Sequence, residues 1–182
     1  DTEIHIGLYG PLSGPAKLWE TAVGGSELVC MMVNEQGGIH GRKIVPHIID
    51  DSYNPAKTKA GVKRLHETVG VFAWAGGVGT ANGLAVKDYL VKRKVPWVGP
   101  LSGAKAWFWP PERNIFALYP AYRFEAAELC QYAVEKMGKS RIAIVYQDDS
   151  YGEEGLIGAK QGLEKYRLSL VEALPVAKTG SE

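Results

Sequence analysis

No hydrophobic run in this sequence approaches the ~20 residues that a bilayer-spanning helix requires. Cysteine is scarce: there are two in 182 residues, Cys30 and Cys130. They lie far apart, each within a helical pattern, which excludes a disulfide-framework domain and reads as two buried free thiols. An excess of one charge is also missing, since 21 Lys and Arg stand against 20 Asp and Glu for a net charge of +1. Nothing here favours a nucleic acid or another polyanion as partner. The densest basic run, Lys92-Arg93-Lys94, falls at the end of a helical segment, where cations suit the carbonyl end of the helix. There is no short repeat and no low-complexity segment.

Catalytic signatures are missing too. There is no nucleophile elbow, no Walker lysine and no Ser/His/Asp arrangement. The four histidines, His5, His40, His47 and His66, have no metal-ligand spacing with one another or with the cysteines, and read as structural or exposed. Gly77 and Gly79 fit the first two positions of a GxGxxG dinucleotide fingerprint, but the third position is Asn82. That run also follows the third strand rather than the first. The expectation is therefore no catalytic residue, no metal and no cofactor.

What the sequence does contain is the composition of a globular protein, 46% hydrophobic and 23% charged, and a regular switch between two periods. Ile4, Ile6 and Leu8 open a strand rather than a leader segment; a mature exported protein begins this way, and so does a cytosolic one. A helix is expected over 17–36, stopped by Gly37-Gly38, followed by a strand over 44–49. Asn54 caps a helix that starts at Pro55 and reaches Val69. Further strands are expected over 71–75, 96–98, 115–118, 141–146 and 168–173, with helices over 81–93, 123–137 and 153–166. Such alternation predicts an α/β protein with Rossmann-like parallel sheets. Two units are expected, 1–120 and 121–182. The second would hold only two strands and two helices, which reads as an incomplete lobe with an uncovered edge.

Ligands of open α/β sheets bind beyond the carboxyl ends of the strands. Four such loops are expected, over 11–16, 76–82, 99–104 and 148–152, rich in Gly, Ser and Thr. Hydroxyls and free amides at helix starts suit a carboxylate, and nearby aromatics suit an apolar body. The adjacent acids Asp50 and Asp51 point opposite ways at a strand end, and are expected to form a turn and cap the next helix.

Six motifs then stand in register: Ser13-Gly14-Pro15, 34–42 (NEQGGIHGR), 50–55 (DDSYNP), 96–100 (PWVGP), 141–145 (RIAIV) and Tyr151-Gly152-Glu153. Together they resemble the type I periplasmic solute-binding proteins of the leucine/isoleucine/valine-binding class, across essentially the whole chain. The resemblance implies two Rossmann-like lobes that close on a small carboxylate-bearing ligand, a branched-chain or other amino acid. It implies delivery to an ABC permease and a periplasmic or extracellular location; a ligand-sensing module of a regulator or receptor is the alternative use of the same fold. Family members are roughly twice this length, so the chain is expected to represent the N-terminal half. The resemblance assigns to the ligand site Trp19, Gly79, Thr80, Leu101, Ser102, Gly103, Tyr122 and Tyr151. Trp19 and Tyr151 would pack on the ligand, Thr80 would bind its carboxylate, and 101–103 would supply a carbonyl for the ammonium and a hydroxyl for the carboxylate. Where well-known members carry a cysteine pair in the first lobe, this chain has Tyr53 and Gly79.

Overall fold

The computed structural model describes residues 2–177. The chain divides into two compact units: residues up to Leu101 together with Pro110–Tyr119, and Ser102–Trp109 together with the residues from Pro120 onward. The segment Ser102–Trp109, assigned by sequence to the first unit, clusters with the second.

In the first unit β1 (Glu3–Gly10), β2 (Lys43–Asp50), β3 (Ala73–Ala75), β4 (Trp97–Val98) and β5 (Ile115–Phe116) form one sheet in the order β2-β1-β3-β4-β5. Every pairing is parallel. The helices are α1 (Glu20–Glu35), α2 (Pro55–Thr68) and α3 (Thr80–Lys92). Right-handed crossovers send α1 to one face of the sheet and α2 and α3 to the other, because the strand order reverses between β1 and β3. The helix expected from Lys17 begins instead as a 3-10 turn over Lys17–Trp19, and the α-helix starts at Glu20.

Local chemistry sets the element ends. Gly38 N–H donates to Val33 O at 2.9 Å, and Gly37 and Gly38 both adopt positive φ, which ends α1 at low steric cost. The Asn34 side chain then bonds both Ile44 N and Ile44 O at 2.7 Å and ties the end of α1 to the start of β2. Asn54 accepts from Ala56 N at 2.9 Å and Lys57 N at 3.3 Å, with Pro55 in the first turn of α2. Asn54 is thus the cap of α2; Asp50 and Asp51 bond elsewhere, contrary to the capping role expected of them.

Three buried aromatics form the middle of this core. Tyr9, Trp74 and Trp97 are each at most 1% exposed, and the Tyr9 ring lies 6.3 Å from Trp74 and 6.1 Å from Trp97. Gly7 is required beneath them, since a Cβ there would stand 2.6 Å from the Trp74 ring. Burial of side chains of this size contributes roughly 2–3 kcal/mol each.

One histidine of the first unit, His47, carries a pH dependence. His5 on β1 and His47 on β2 sit diagonally across the ladder, with Nδ1 of His5 and Nε2 of His47 2.9 Å apart. That contact holds a single proton, so protonating both rings breaks it. Burial, and then the charge of His5, push the His47 pKa down from its ordinary value, against a weaker upward pull from Glu3. The unfolded chain therefore takes up the proton more readily than the native one, and stability falls as pH drops below about 6.5 toward the native His47 pKa. The melting temperature is expected to decline over that window, and His47→Asn to flatten the decline; an unchanged slope in the variant would refute the assignment.

The second unit contains α4 (Tyr122–Glu135), β6 (Ile142–Gln147), α5 (Ser150–Glu164) and β7 (Leu170–Val176). β6 and β7 pair in parallel, with an irregularity at Ile142/Ala143. β7 lies two to three residues later than the 168–173 expected. α4 and α5 approach closely because α5 presents glycine there: a Cβ on Gly158 would stand 2.3 Å from Arg123 O, and one on Gly162 would stand 2.6 Å from Ala127 O. Arg123 also forms a two-pronged ion pair with Glu154, at 2.6 and 3.0 Å, between the same helices. Cys130 is buried between α4 and α5, Cys30 is buried in α1, and both are unbonded.

Candidate functional site

The carboxyl ends of β1, β3 and β4 lie at the same end of the first unit's sheet, because all its pairings are parallel. The strand order reverses between β1 and β3, so the two crossover helices leave on opposite faces at that end, the position at which open α/β sheets bind their ligands. The loops that leave these three strands are built to hold backbone groups in fixed places.

After β1, Leu12 N and Ser13 N both donate to Asp50 Oδ1, at 3.0 and 3.2 Å. Ser52 N adds a third bond to the same oxygen at 2.9 Å. Hydrogen bonds, that of the Ser13 side chain foremost, hold the Asp50 carboxyl below the usual carboxylate range. Trp19 follows this loop at the end of the 3-10 turn and is 50% exposed, a large aromatic surface left open to solvent.

After β3 the chain runs Gly76-Gly77-Val78-Gly79, and all three glycines have positive φ. Gly77 also has no room for a side chain, since a Cβ would lie 2.4 Å from the Tyr9 ring. Trp97 Nε1 donates to Gly76 O at 2.7 Å, and Leu101 N donates to Gly77 O at 2.9 Å. Val78 and Leu101 continue the parallel pairing beyond the strands. This loop delivers the chain to Gly79, the N-cap of α3, a residue with no side chain of its own to cap that helix start. The early N–H groups of α3 lie at the positive end of a 13-residue helix. Thr80, its first residue, is 1% exposed. A hydroxyl beside the first amides of a helix is suited to receive a carboxylate.

The Tyr53 ring packs on Gly79, where a Cβ would stand 2.6 Å from Tyr53 Cε2. The two positions that resemblance pairs as cysteines are therefore neighbours here, and packing joins them in place of a bond. Tyr53 itself has a φ of 60°, uncommon for a bulky residue, and its N–H is held by Asp51 Oδ1 at 2.9 Å.

In the second unit, Ser102 and Gly103 are buried; Ser102 Oγ accepts from Ala104 N at 3.3 Å, and Gly103 O accepts from Tyr122 N at 2.9 Å. A Cβ on Gly103 would lie 2.0 Å from Pro120 O, so only glycine fits. Tyr122 begins α4 and Tyr151 lies in the first turn of α5, their rings edge to face with centroids 5.0 Å apart. Asp149 caps α5 by accepting from Tyr151 N at 2.9 Å and Gly152 N at 3.3 Å. Tyr122 and Tyr151 line a shallow groove of about 240 Å³ together with Ala126, Leu129 and Tyr146.

Trp19, Gly79, Thr80 and Leu101 thus lie at the carboxyl end of the first unit's sheet, and Ser102, Gly103, Tyr122 and Tyr151 fall in the second unit. Sequence reasoning missed Asp50 as the anchor of the first loop and Tyr9 and Trp97 as the support of the third. The available signal was positional: adjacent acids at a strand end face opposite ways, so each serves a different neighbour.

The chain matches the sequence profile of the periplasmic binding protein family over residues 3–181. It is 27% identical over 154 residues to Leu/Ile/Val-binding protein homolog 3 of Brucella melitensis, covering 83% of this chain and 41% of that protein. It is 28% identical over 154 residues to Leu/Ile/Val-binding protein BraC3 of Rhizobium johnstonii, with the same 83% and 41% coverage. The crystal structure of a substrate-binding periplasmic protein from Ralstonia solanacearum superposes with a TM-score of 0.89 at 27% identity, covering 97% of this chain and 50% of that one. The chain therefore spans about two fifths of the length of the curated relatives it matches.

Proposed function

The chain belongs to the periplasmic binding protein family, and we propose that it belongs to an exported receptor that captures a small carboxylate-bearing ligand. A branched-chain amino acid is the first choice, because the relatives matched over 83% of the chain are named Leu/Ile/Val-binding proteins. These relatives are named for binding, not for a reaction, in keeping with a chain that carries no catalytic constellation in its sequence. The protein works, on this reading, in the periplasm or outside the cell and hands its ligand to the permease of an ABC importer.

The observation that carries the reading is the start of α3. Buried Thr80 opens a helix whose N-cap is Gly79, beyond the carboxyl end of β3 and next to the reversal of strand order. The ligand carboxylate is bound there by the Thr80 hydroxyl and the first amides of α3. Trp19 packs on the aliphatic side chain.

Calorimetric titration of the native protein tests this. L-leucine, L-isoleucine or L-valine should bind with a dissociation constant in the micromolar range or below, about −8 kcal/mol, and L-leucinamide far more weakly, because it lacks the carboxylate. Absence of binding by all three amino acids, or equal binding of leucine and its amide, would overturn the assignment.

A further inference from the structure

We propose that Asp51, Thr58 and Asn82 form a positioning network that fixes the first turn of α3 for carboxylate recognition. The proposal rests on the reading above, in which Thr80 and that turn hold the ligand carboxylate.

All three side chains are 0% exposed. Asp51 Oδ2 accepts from Thr58 Oγ1 at 2.6 Å and from Asn82 Nδ2 at 2.9 Å. Asn82 Nδ2 also lies 2.9 Å from Thr58 Oγ1, and Thr58 Oγ1 lies 3.1 Å from Asn54 O at the start of α2. The other carboxylate oxygen holds Tyr53 N, and the Tyr53 ring packs on Gly79 at the N-cap of α3. One carboxylate thereby joins the end of β2, the first turn of α2 and the first turn of α3. Asn82 sits two residues after Thr80, so its side chain and that of Thr80 leave the same turn of helix.

A buried carboxylate costs several kcal/mol to desolvate unless it is fully bonded. For mere cohesion between α2 and α3, an apolar contact would serve at least as well. Directional bonds to one residue of the first turn do what apolar packing does not: they set the rotation and height of that turn to within a hydrogen-bond length. A carboxylate ligand needs that placement, because its hydrogen bonds to helical amides weaken steeply with misalignment. A ligand lacking the carboxylate gains little from it.

This difference separates positioning from simple stabilisation. In Asn82→Ala, amide hydrogen exchange in residues 80–83 of the ligand-free protein should speed up about tenfold or more, while the last turn of α3 keeps its rate. The preference for L-leucine over L-leucinamide, measured by calorimetry, should fall by about fivefold or more. Thr58→Val is nearly isosteric and retains one link between Asp51 and Asn82; it should shift both readouts in the same direction by less, and Thr58→Ser should restore them. Variants that melt earlier but keep both the exchange contrast along α3 and the leucine preference would overturn the network's positioning role alone. Wild-type protein that binds neither compound would instead overturn the ligand reading on which the proposal rests.

Discussion

Thr80→Ala raises the dissociation constant for L-leucine about tenfold or more. The hydroxyl removed is at most one hydrogen bond to a charged group, worth about 1.5–3 kcal/mol, and 1.4 kcal/mol is a factor of ten in affinity. The methyl-bearing backbone of α3 is left in place, since alanine is the better helix former. Thr80→Ser retains the hydroxyl and should bind within about threefold of wild type, a difference of at most about 0.7 kcal/mol. Titration of the three proteins side by side checks the claim. An alanine variant with wild-type affinity would show that the carboxylate is held elsewhere, and the functional reading built on the start of α3 would go with it.

The largest effect on stability is expected at the α4–α5 contact. Gly158→Val places a branched side chain where even a single Cβ would lie 2.3 Å from Arg123 O and 2.7 Å from Arg123 Cα. The obstacle is main chain, which yields only if the two helices move apart. Separation would cost the Arg123–Glu154 pair and uncover Leu163 and Ala159, now 0% and 3% exposed. A loss of about 3 kcal/mol or more is expected, at the upper end for overpacking. Gly155→Ala is the control on the same helix: nothing lies within 4 Å of its Cβ position, and the added helix propensity should stabilise by up to about 1 kcal/mol. Urea unfolding followed by a probe in the second unit distinguishes the two. Equal stability of both variants would mean that the helices are not held at the separation described.

Most of the strand and helix pattern was readable in advance because it rests on local signals. Asn54-Pro55 marks the start of α2, Gly37-Gly38 the end of α1, and the run Ile142–Tyr146 the strand β6. Misplacements fell where local signals are weak. Leu168 and Ser169 look strand-like, yet the pairing with β6 begins at Leu170. Lys17–Trp19 carries helical residues but tightens into a 3-10 turn after the Gly14-Pro15 corner. Ser102–Trp109 follows a strand of the first sheet and was read as part of that unit, while Gly103 and Tyr122 bond within the second. No short-range rule reports which unit a connecting segment joins.

The candidate site divides in the same way. The glycine- and hydroxyl-rich loop over 76–82 was a sequence feature, and resemblance singled out Gly79 and Thr80 within it. Resemblance added Trp19, the segment 101–103, Tyr122 and Tyr151. What holds the turns was not legible. Asn82 drew notice only because it breaks a glycine fingerprint, yet it is wholly buried against Asp51, 31 positions away. Its value lies in a partner that sequence distance conceals.

By itself, then, the sequence determined the class of fold, the order of its elements and the family to which the chain belongs. The class and the order follow from composition, from the two hydrophobic periods and from capping residues, all of which act within a few positions along the chain; the family follows from the resemblance carried by six motifs in register. Only the tertiary structure decided the strand order β2-β1-β3-β4-β5, and with it the β1/β3 reversal. Only the tertiary structure sent Asp50 to the loop after β1 and Asp51 to the start of α3. Both outcomes depend on contacts between segments tens of residues apart, whose geometry is set when parallel strands and crossover helices pack into one core.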